Sequence, residues 1–162
     1  MSNKRGYDFS CSLWLPADIK EYPCVIYLHC NSSNRTEGTE YLRKLLVNKI
    51  ALCTFDFSGC GNAEGEYVSL GYYEQDDLEE VVNYLKKYPK INNIALWGRS
   101  MGAVTTLLYL ANNGEDQGVK AAIIDSPFKS LKSLVEDLAQ KVTKIPNLIL
   151  SGVLKIVSGT IQ

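Results

Sequence analysis

A short apolar run, three closely spaced small residues and an amphipathic stretch follow one another in the middle of the chain. Residues 94–97 predict a buried strand, and residues 101–112 predict a helix. Between them Gly98, Ser100 and Gly102 form the pattern Gly-x-Ser-x-Gly. Glycine on both sides of the serine permits a turn too sharp for larger residues, and such a turn exposes the serine hydroxyl at a sheet edge. The segment therefore predicts a strained strand–turn–helix with Ser100 as a candidate nucleophile.

The rest of the chain alternates predicted strands with predicted helices. Further strands are expected at 7–15, 24–28, 51–55 and 121–124, and further helices at 37–48, 76–88 and 130–142. The first of these strands resembles an edge strand, whereas the 24–28 run is continuously apolar and suits a sheet covered on both faces. This alternation predicts βαβ units with right-handed crossovers. Because there is neither an internal repeat nor a linker, the sequence predicts a single α/β domain, or part of one, over residues 1–162.

Composition narrows the functional classes. The net charge of −1 argues against a nucleic-acid surface, which usually carries a strong basic excess. The chain has one histidine and no Cys-x-x-Cys pair, so we expect no metal site. The glycines at 59, 61 and 65 have the wrong spacing for a dinucleotide-binding loop, and no cofactor is implied.

Cellular location follows from two further features of the sequence. The N-terminus leads into no apolar signal core, which favours a cytoplasmic protein. The longest apolar stretch, at 145–157, is too short and too interrupted to span a bilayer, so no membrane span is expected.

Three segments that follow predicted strands agree with one family. Residues 28–32 are Leu-His-Cys-Asn-Ser, residues 56–65 are Asp-Phe-Ser-Gly-Cys-Gly-Asn-Ala-Glu-Gly, and residues 98–102 are Gly-Arg-Ser-Met-Gly. In this order and at these separations they resemble the α/β-hydrolase superfamily, in particular its serine aminopeptidase-like and acylaminoacyl-peptidase-like branch. The resemblance extends from about residue 7 to residue 133. It implies a three-layer α/β-hydrolase fold, with a mostly parallel sheet, helices on both faces and the family's C-terminal strands missing.

The resemblance also implies roles for individual residues. Ser100 would be the nucleophile of a serine hydrolase that transfers an acyl group to water, from a small-molecule ester, thioester or peptide substrate. The backbone N–H of Met101 would be one oxyanion donor, and the N–H of Asn31 the second. Asp56 would brace the glycine-rich loop that follows it.

The sequence departs from the family pattern at two points. Cys30 stands where the family usually has glycine, and its Cβ would crowd the oxyanion loop if the backbone needed a positive φ there. The larger departure concerns the catalytic base. In this fold the triad runs serine, acid, histidine along the chain, yet no histidine follows Ser100.

Three explanations for the missing base remain open. We prefer the first, in which the chain is the front part of a longer hydrolase whose acid and histidine lie beyond residue 162, so that this chain alone is inactive. In the second, the chain is a non-catalytic binding or interaction module. In the third, His29 is the base, because its strand would neighbour the strand before Ser100. The matching family histidine instead helps to shape the oxyanion loop, so the resemblance also implies a supporting role for His29 and for Cys30 beside it. Asp125 is expected to begin a turn and is not assigned as the acid. An open sheet edge could also recruit a partner.

Overall fold

The computed structural model describes residues 1–17, 19–113 and 118–134. The chain divides into two units, Met1–Pro127 and Phe128–Gln162. In the first unit the strands are β1 (Cys11–Trp14), β2 (Tyr22–Leu28), β3 (Ala51–Phe55), β4 (Ile91–Arg99) and β5 (Val119–Asp125). Its helices are a short 3-10 helix (Glu37–Tyr41), α1 (Leu42–Val47), α2 (Glu74–Lys86) and α3 (Met101–Asn113). The prediction of a single partial domain over residues 1–162 stays a prediction.

The five strands form one sheet in the order β1-β3-β2-β4-β5. Strands β3, β2, β4 and β5 run parallel to one another, as the strand–helix alternation predicts. Strand β1 is antiparallel to β3 and lies at the edge, so the edge-strand prediction is confirmed. It is shorter than predicted, because residues before Cys11 bond to segments other than β3: the Phe9 N–H donates to the Met1 carbonyl and the Glu64 N–H to the Asp8 carbonyl, each at 2.8 Å.

The central strand β2 separates two helical layers. Ile26 and Leu28 point to one face and belong to the apolar core that also contains Leu78 of α2. Tyr27 points to the opposite face, where its ring lies 5.6 Å from that of Tyr41 in the 3-10 helix. Since successive side chains of a strand alternate between faces, helices cover both sides of the sheet. The predicted three-layer arrangement is confirmed.

The predicted helix at 37–48 is divided into the 3-10 helix and α1. Gly38 is buried against the sheet, and a Cβ there would lie 2.7 Å from Cγ2 of Thr54 and 2.9 Å from the Tyr27 ring. Only glycine therefore permits this close approach of the first turn to the sheet. The contact places Glu37 directly beside the carboxyl end of β2.

Helix α2 begins two residues before its predicted start. The buried Glu74 accepts hydrogen bonds from the N–H groups of Ser69 and Gly71, at 2.8 and 2.7 Å, and so fixes the preceding loop onto the first helical turn. Strand β5 has the predicted position, but its Ala121 and Ile123 are exposed. Among the described residues it is the outer strand on this side of the sheet.

The second unit is described only as far as residue 134. Residues 131–134 are helical, and the Ser130 hydroxyl accepts the Ser133 N–H at 3.1 Å, which caps this start of the helix predicted at 130–142. The remainder of that helix and the apolar stretch at 145–157 lie outside the described residues. In the described part of the chain, no helix has the length and apolar character needed to cross a membrane.

Candidate active site

The turn between β4 and α3 forces Ser100 into a left-handed backbone conformation, with φ of 51°. Two glycines make this turn possible through close backbone contacts. A Cβ on Gly98 would lie 2.2 Å from the carbonyl oxygen of Gly102, and a Cβ on Gly102 would lie 2.1 Å from the carbonyl oxygen of Leu28. Both distances are far shorter than any real contact, so only hydrogen fits at either position. We call residues 98–102 the nucleophile turn, after the role predicted for Ser100.

Backbone hydrogen bonds fix the nucleophile turn to its neighbours. The Ser100 N–H donates to the carbonyl oxygen of Asp125 at the end of β5, at 2.8 Å. The Ser100 carbonyl accepts the Val104 N–H at 3.0 Å, which starts α3. Ser126, which follows Asp125, also has a left-handed backbone conformation, with φ of 54°. The half-buried Ser100 side chain is thereby held between a strand end and a helix start.

The two predicted oxyanion donors lie at the same edge of the sheet as Ser100. Met101 is the first residue of α3, and the N–H groups of a first helical turn have no partner within the helix. Asn31 follows β2, whose last residue Leu28 is paired with Gly98 of β4. Within the described residues, neither of these two N–H groups donates a hydrogen bond. Both therefore stay available to an external acceptor.

Cys30 fits the loop after β2 without backbone strain. Among the described residues it is not one of those with a positive φ, so the crowding expected of a cysteine in place of glycine does not arise. Its N–H donates to the Glu37 carboxylate at 3.1 Å, and its sulfur lies 3.6 Å from the Ser32 hydroxyl. We call residues 29–33 the oxyanion loop, after the role predicted for the Asn31 N–H.

Both ring nitrogens of His29 are occupied. The Phe57 backbone N–H donates to Nε2 at 3.2 Å, so Nε2 is unprotonated and Nδ1 carries the proton that it donates to the Cys30 carbonyl at 2.8 Å. The ring is fully buried, and this burial lowers its pKa despite the hydrogen bond to Cys30. A neutral imidazole with both nitrogens engaged has no lone pair for the Ser100 hydroxyl. This geometry argues against His29 as the base.

Asp56 links the segment after the oxyanion loop, at Arg35, to the glycine-rich loop after β3, at Asn62. Its buried carboxylate accepts the backbone N–H of Arg35 at 2.7 Å, the Arg35 guanidinium, and the N–H of Asn62 at 3.0 Å. A Cβ on Gly61 would lie 2.5 Å from this carboxyl group. The prediction that Asp56 braces the loop after β3 is confirmed.

Sequence reasoning missed Glu37 and Arg99, which connect the two halves of this site. The Glu37 carboxylate accepts the Cys30 N–H and also accepts a hydrogen bond from Arg99 Nη1, at 3.2 Å. Arg99 in turn places Nε 4.0 Å from the carboxylate of Asp125. The available signal was Gly38, since a glycine inside a predicted helix weakens that helix and indicates a close packing contact.

Other features of the described residues lie apart from this edge. A cleft of about 400 Å³ is formed by the N-terminal segment, the start of α2 and the end of α3, and none of the predicted site residues lines it. Nowhere in the described ranges do three histidine, cysteine or acidic side chains come together as metal ligands would.

Known proteins resemble this chain in sequence and in fold. The family described as Serine aminopeptidase, S33, matches residues 24–158. The protein YqkD of Bacillus subtilis is 34% identical over 126 residues, which cover 76% of this chain and 40% of YqkD. YfhR of Escherichia coli K12 is 25% identical over 125 residues, covering 76% of this chain and 43% of YfhR.

A solved structure, the esterase Pf2001 of Pyrococcus furiosus, is similar with a TM-score of 0.74 and 26% identity. The match covers 96% of this chain and 61% of Pf2001. The chain thus spans less than two thirds of the length of these relatives. The family match covers most of the chain, and the sheet order, the left-handed serine and its flanking glycines are those of an α/β hydrolase. The chain belongs to the S33 serine aminopeptidase family of α/β hydrolases.

Proposed function

We propose that the protein, at its full natural length, is a serine hydrolase that transfers acyl groups to water through an acyl-enzyme on Ser100. One observation carries the proposal. Ser100 is held at a φ of 51° between two glycines whose positions tolerate no Cβ. A non-glycine residue in this conformation costs of the order of 1–2 kcal/mol, and such strain is typical of functional sites.

The proposed chemistry follows from the groups at the sheet edge. The Ser100 Oγ attacks the substrate carbonyl carbon, and its proton passes to a general base. The carbonyl oxygen becomes an anion that the Met101 and Asn31 N–H groups would stabilise, together with the positive end of the α3 dipole. Collapse of this intermediate expels the alcohol or amine, which takes the proton from the base. The base then takes a proton from water, whose oxygen attacks the acyl carbon, and collapse of the second intermediate releases the acid and returns the proton to Ser100 Oγ.

The general base is proposed to come from outside these 162 residues. His29 is the sole histidine of the sequence, and both of its ring nitrogens have backbone partners. Since the chain spans 40% of YqkD, ample sequence in such a relative has no counterpart here. We therefore expect negligible turnover by this chain alone. His29 is proposed as a supporting residue that orients the oxyanion loop.

The proposed substrate class is small esters. The similar Pf2001 is described as an esterase, and its identity of 26% with this chain supports an acyl ester as the first substrate to test. The family description points instead to peptides. Esters, thioesters and peptides pass through the same tetrahedral species, so the nucleophile turn suits each of them.

The test is hydrolysis of p-nitrophenyl acetate and of an aminoacyl p-nitroanilide by the full-length protein. We expect release of nitrophenol with a rapid initial burst of one equivalent, the signature of an acyl-enzyme. Ser100→Ala should reduce kcat by at least about 10³-fold. The control Ser12→Ala removes a hydroxyl on β1, which β3 and β2 separate from β4, and should leave the rate unchanged. A rate that survives Ser100→Ala would overturn the proposal, and a protein that binds these compounds without turnover would support the interaction module instead.

A further inference from the structure

We propose that Glu37 is a positioning residue that fastens the oxyanion loop to the nucleophile turn. The inference rests on the proposed function, because it assigns to Glu37 the task of bringing the second oxyanion donor into register with Ser100. Nothing in the Gly-x-Ser-x-Gly pattern implies an acid at this position, which lies 63 residues before the nucleophile along the chain.

The Glu37 carboxylate collects donors from three separate segments. Its Oε2 accepts the Cys30 N–H of the oxyanion loop at 3.1 Å. Its Oε1 accepts the hydroxyl of Tyr27 on β2 at 3.0 Å, and Nη1 of Arg99 in the nucleophile turn at 3.2 Å. The Glu37 side chain is only 10% exposed. The carboxylate is therefore a nearly buried junction between the strand, the loop and the turn.

These contacts fix both peptide groups that flank Cys30. Glu37 holds its N–H, while the His29 ring and the Ser33 N–H hold its carbonyl, at 2.8 and 3.1 Å. In a trans peptide the carbonyl and the following N–H point in opposite directions. The Asn31 N–H must consequently point away from the His29 ring. His29 and the Ser33 N–H thus set its direction, while Glu37 fixes the preceding peptide group of the loop.

The charge of Glu37 suits this role. Burial opposes its ionisation, but the hydrogen bonds from the Cys30 N–H and the Ser33 and Tyr27 hydroxyls prevail and lower the pKa of Glu37. An ionised acceptor makes stronger hydrogen bonds than a neutral one. A bare negative charge beside an oxyanion site would repel the developing anion, and the guanidinium of Arg99 offsets it. The Glu37–Arg99 pair can thus orient the loop without opposing the reaction.

The local sequence explains why the acid reaches this point. Gly38 lets the 3-10 helix lie against Thr54 and the Tyr27 ring, where any Cβ would be only 2.7–2.9 Å from those side chains. This contact brings Glu37, the first residue of the helix, to the end of β2. A longer side chain at residue 38 would push the carboxylate away from Cys30.

The first readout needs no catalysis. In this chain labelled with ¹⁵N, hydrogen exchange of the Cys30 amide should be at least about tenfold faster in Glu37→Ala than in the unsubstituted protein, since a hydrogen bond to a charged group is worth about 1.5 kcal/mol or more. Glu37→Gln keeps one acceptor for Cys30 but turns an amide NH₂ toward Arg99, so a smaller increase is expected. The control Glu40→Gln changes an exposed acid on the same 3-10 helix and should leave exchange unchanged.

The second readout separates positioning from general stability. In the full-length protein, the rate of Ser100 inactivation by a serine-directed phosphonate should fall about 10- to 100-fold in both Glu37 variants, because a misdirected donor loses much of its usual contribution. A merely structural role would lower Tm without changing this rate at 25 °C. Faster Cys30 exchange with an unchanged rate would overturn the proposal, as would unchanged exchange in Glu37→Ala. If the unsubstituted protein resists the phosphonate, the proposed function fails, and Cys30 exchange still decides whether Glu37 holds the loop.

Discussion

The nucleophile turn and the oxyanion loop follow adjacent parallel strands, yet they are held in place by different means. Backbone contacts shape the nucleophile turn, since Gly98 and Gly102 approach carbonyl oxygens at distances that exclude a side chain. Hydrogen bonds shape the oxyanion loop, one donated by the His29 ring and one accepted by the Glu37 carboxylate. The backbone contacts require small residues at a fixed spacing, and this spacing is a motif that the sequence shows. The side-chain hydrogen bonds depend on an acid that is distant along the chain, and no local motif indicates it. The sequence therefore predicts one half of this site and not the other.

The largest expected effect comes from breaking the backbone support. Gly102→Ala places a Cβ 2.1 Å from the Leu28 carbonyl oxygen, a contact that forces α3 away from β2. Helix propensity alone would favour alanine by about 1 kcal/mol, but overpacking of this severity should cost at least about 3 kcal/mol. Urea unfolding would measure the loss.

A matched control separates the clash from backbone strain. Gly6 has φ of +84°, and a methyl group added there would meet nothing within 4 Å, so Gly6→Ala should cost only about 1–2 kcal/mol. A loss at Gly102→Ala no greater than at Gly6→Ala would show that the two strands and α3 are not packed as described.

Prediction from sequence succeeded where backbone geometry dictates residue type. The alternation of apolar runs and amphipathic stretches predicted the parallel sheet and its helices, and Gly98, Ser100 and Gly102 predicted the strained turn. The division of the helix predicted at 37–48 was missed. Its first turn is a 3-10 helix in which Gly38 packs against the Tyr27 ring, and this contact exists only once the sheet has formed.

The hydrogen-bond partners of His29 and the role of Glu37 could not be predicted for a related reason. The state of the His29 ring depends on a backbone N–H donated from Phe57, 28 residues away, and that of Glu37 depends on Arg99. Hydrogen bonds between residues so far apart along the chain depend on the order of the strands in the sheet, and no local sequence pattern predicts that order. The resemblance pointed to the loop after β2 and to His29 as a supporting residue, and both assignments stay predictions, whereas the contacts of Glu37 were not anticipated.

The support from His29 should appear as a pH dependence of stability. Burial lowers the pKa of His29 in the folded protein, whereas the unfolded chain takes up a proton near pH 6.5. Folding should therefore lose stability as the pH falls below about 6.5, by at most about 1.4 kcal/mol per pH unit, until the folded-state pKa is reached. Unfolding free energies measured from pH 7.5 to 5.5 would show this slope.

The control for this slope is His29→Gln, which removes the sole histidine of the sequence. Burial raises the pKa of Asp77, and any slope that this group contributes has the opposite sign and is common to both proteins. The difference between the two profiles therefore isolates His29. If the unfolding free energies of the two proteins changed with pH in the same way, the His29 ring would not be buried as a neutral acceptor of the Phe57 N–H.

The most direct measurement has the smallest expected effect. It compares the unfolding free energies of Ser100→Gly and Ser100→Ala in this chain. In ordinary helical or extended backbone, alanine is the more stable of the two by about 0.5–1 kcal/mol. At a φ of 51° that order should be reversed, with the glycine variant more stable by about 1 kcal/mol, because glycine alone relieves the strain. An alanine variant as stable as the glycine variant, or more so, would contradict the strained turn on which the proposed role of Ser100 depends.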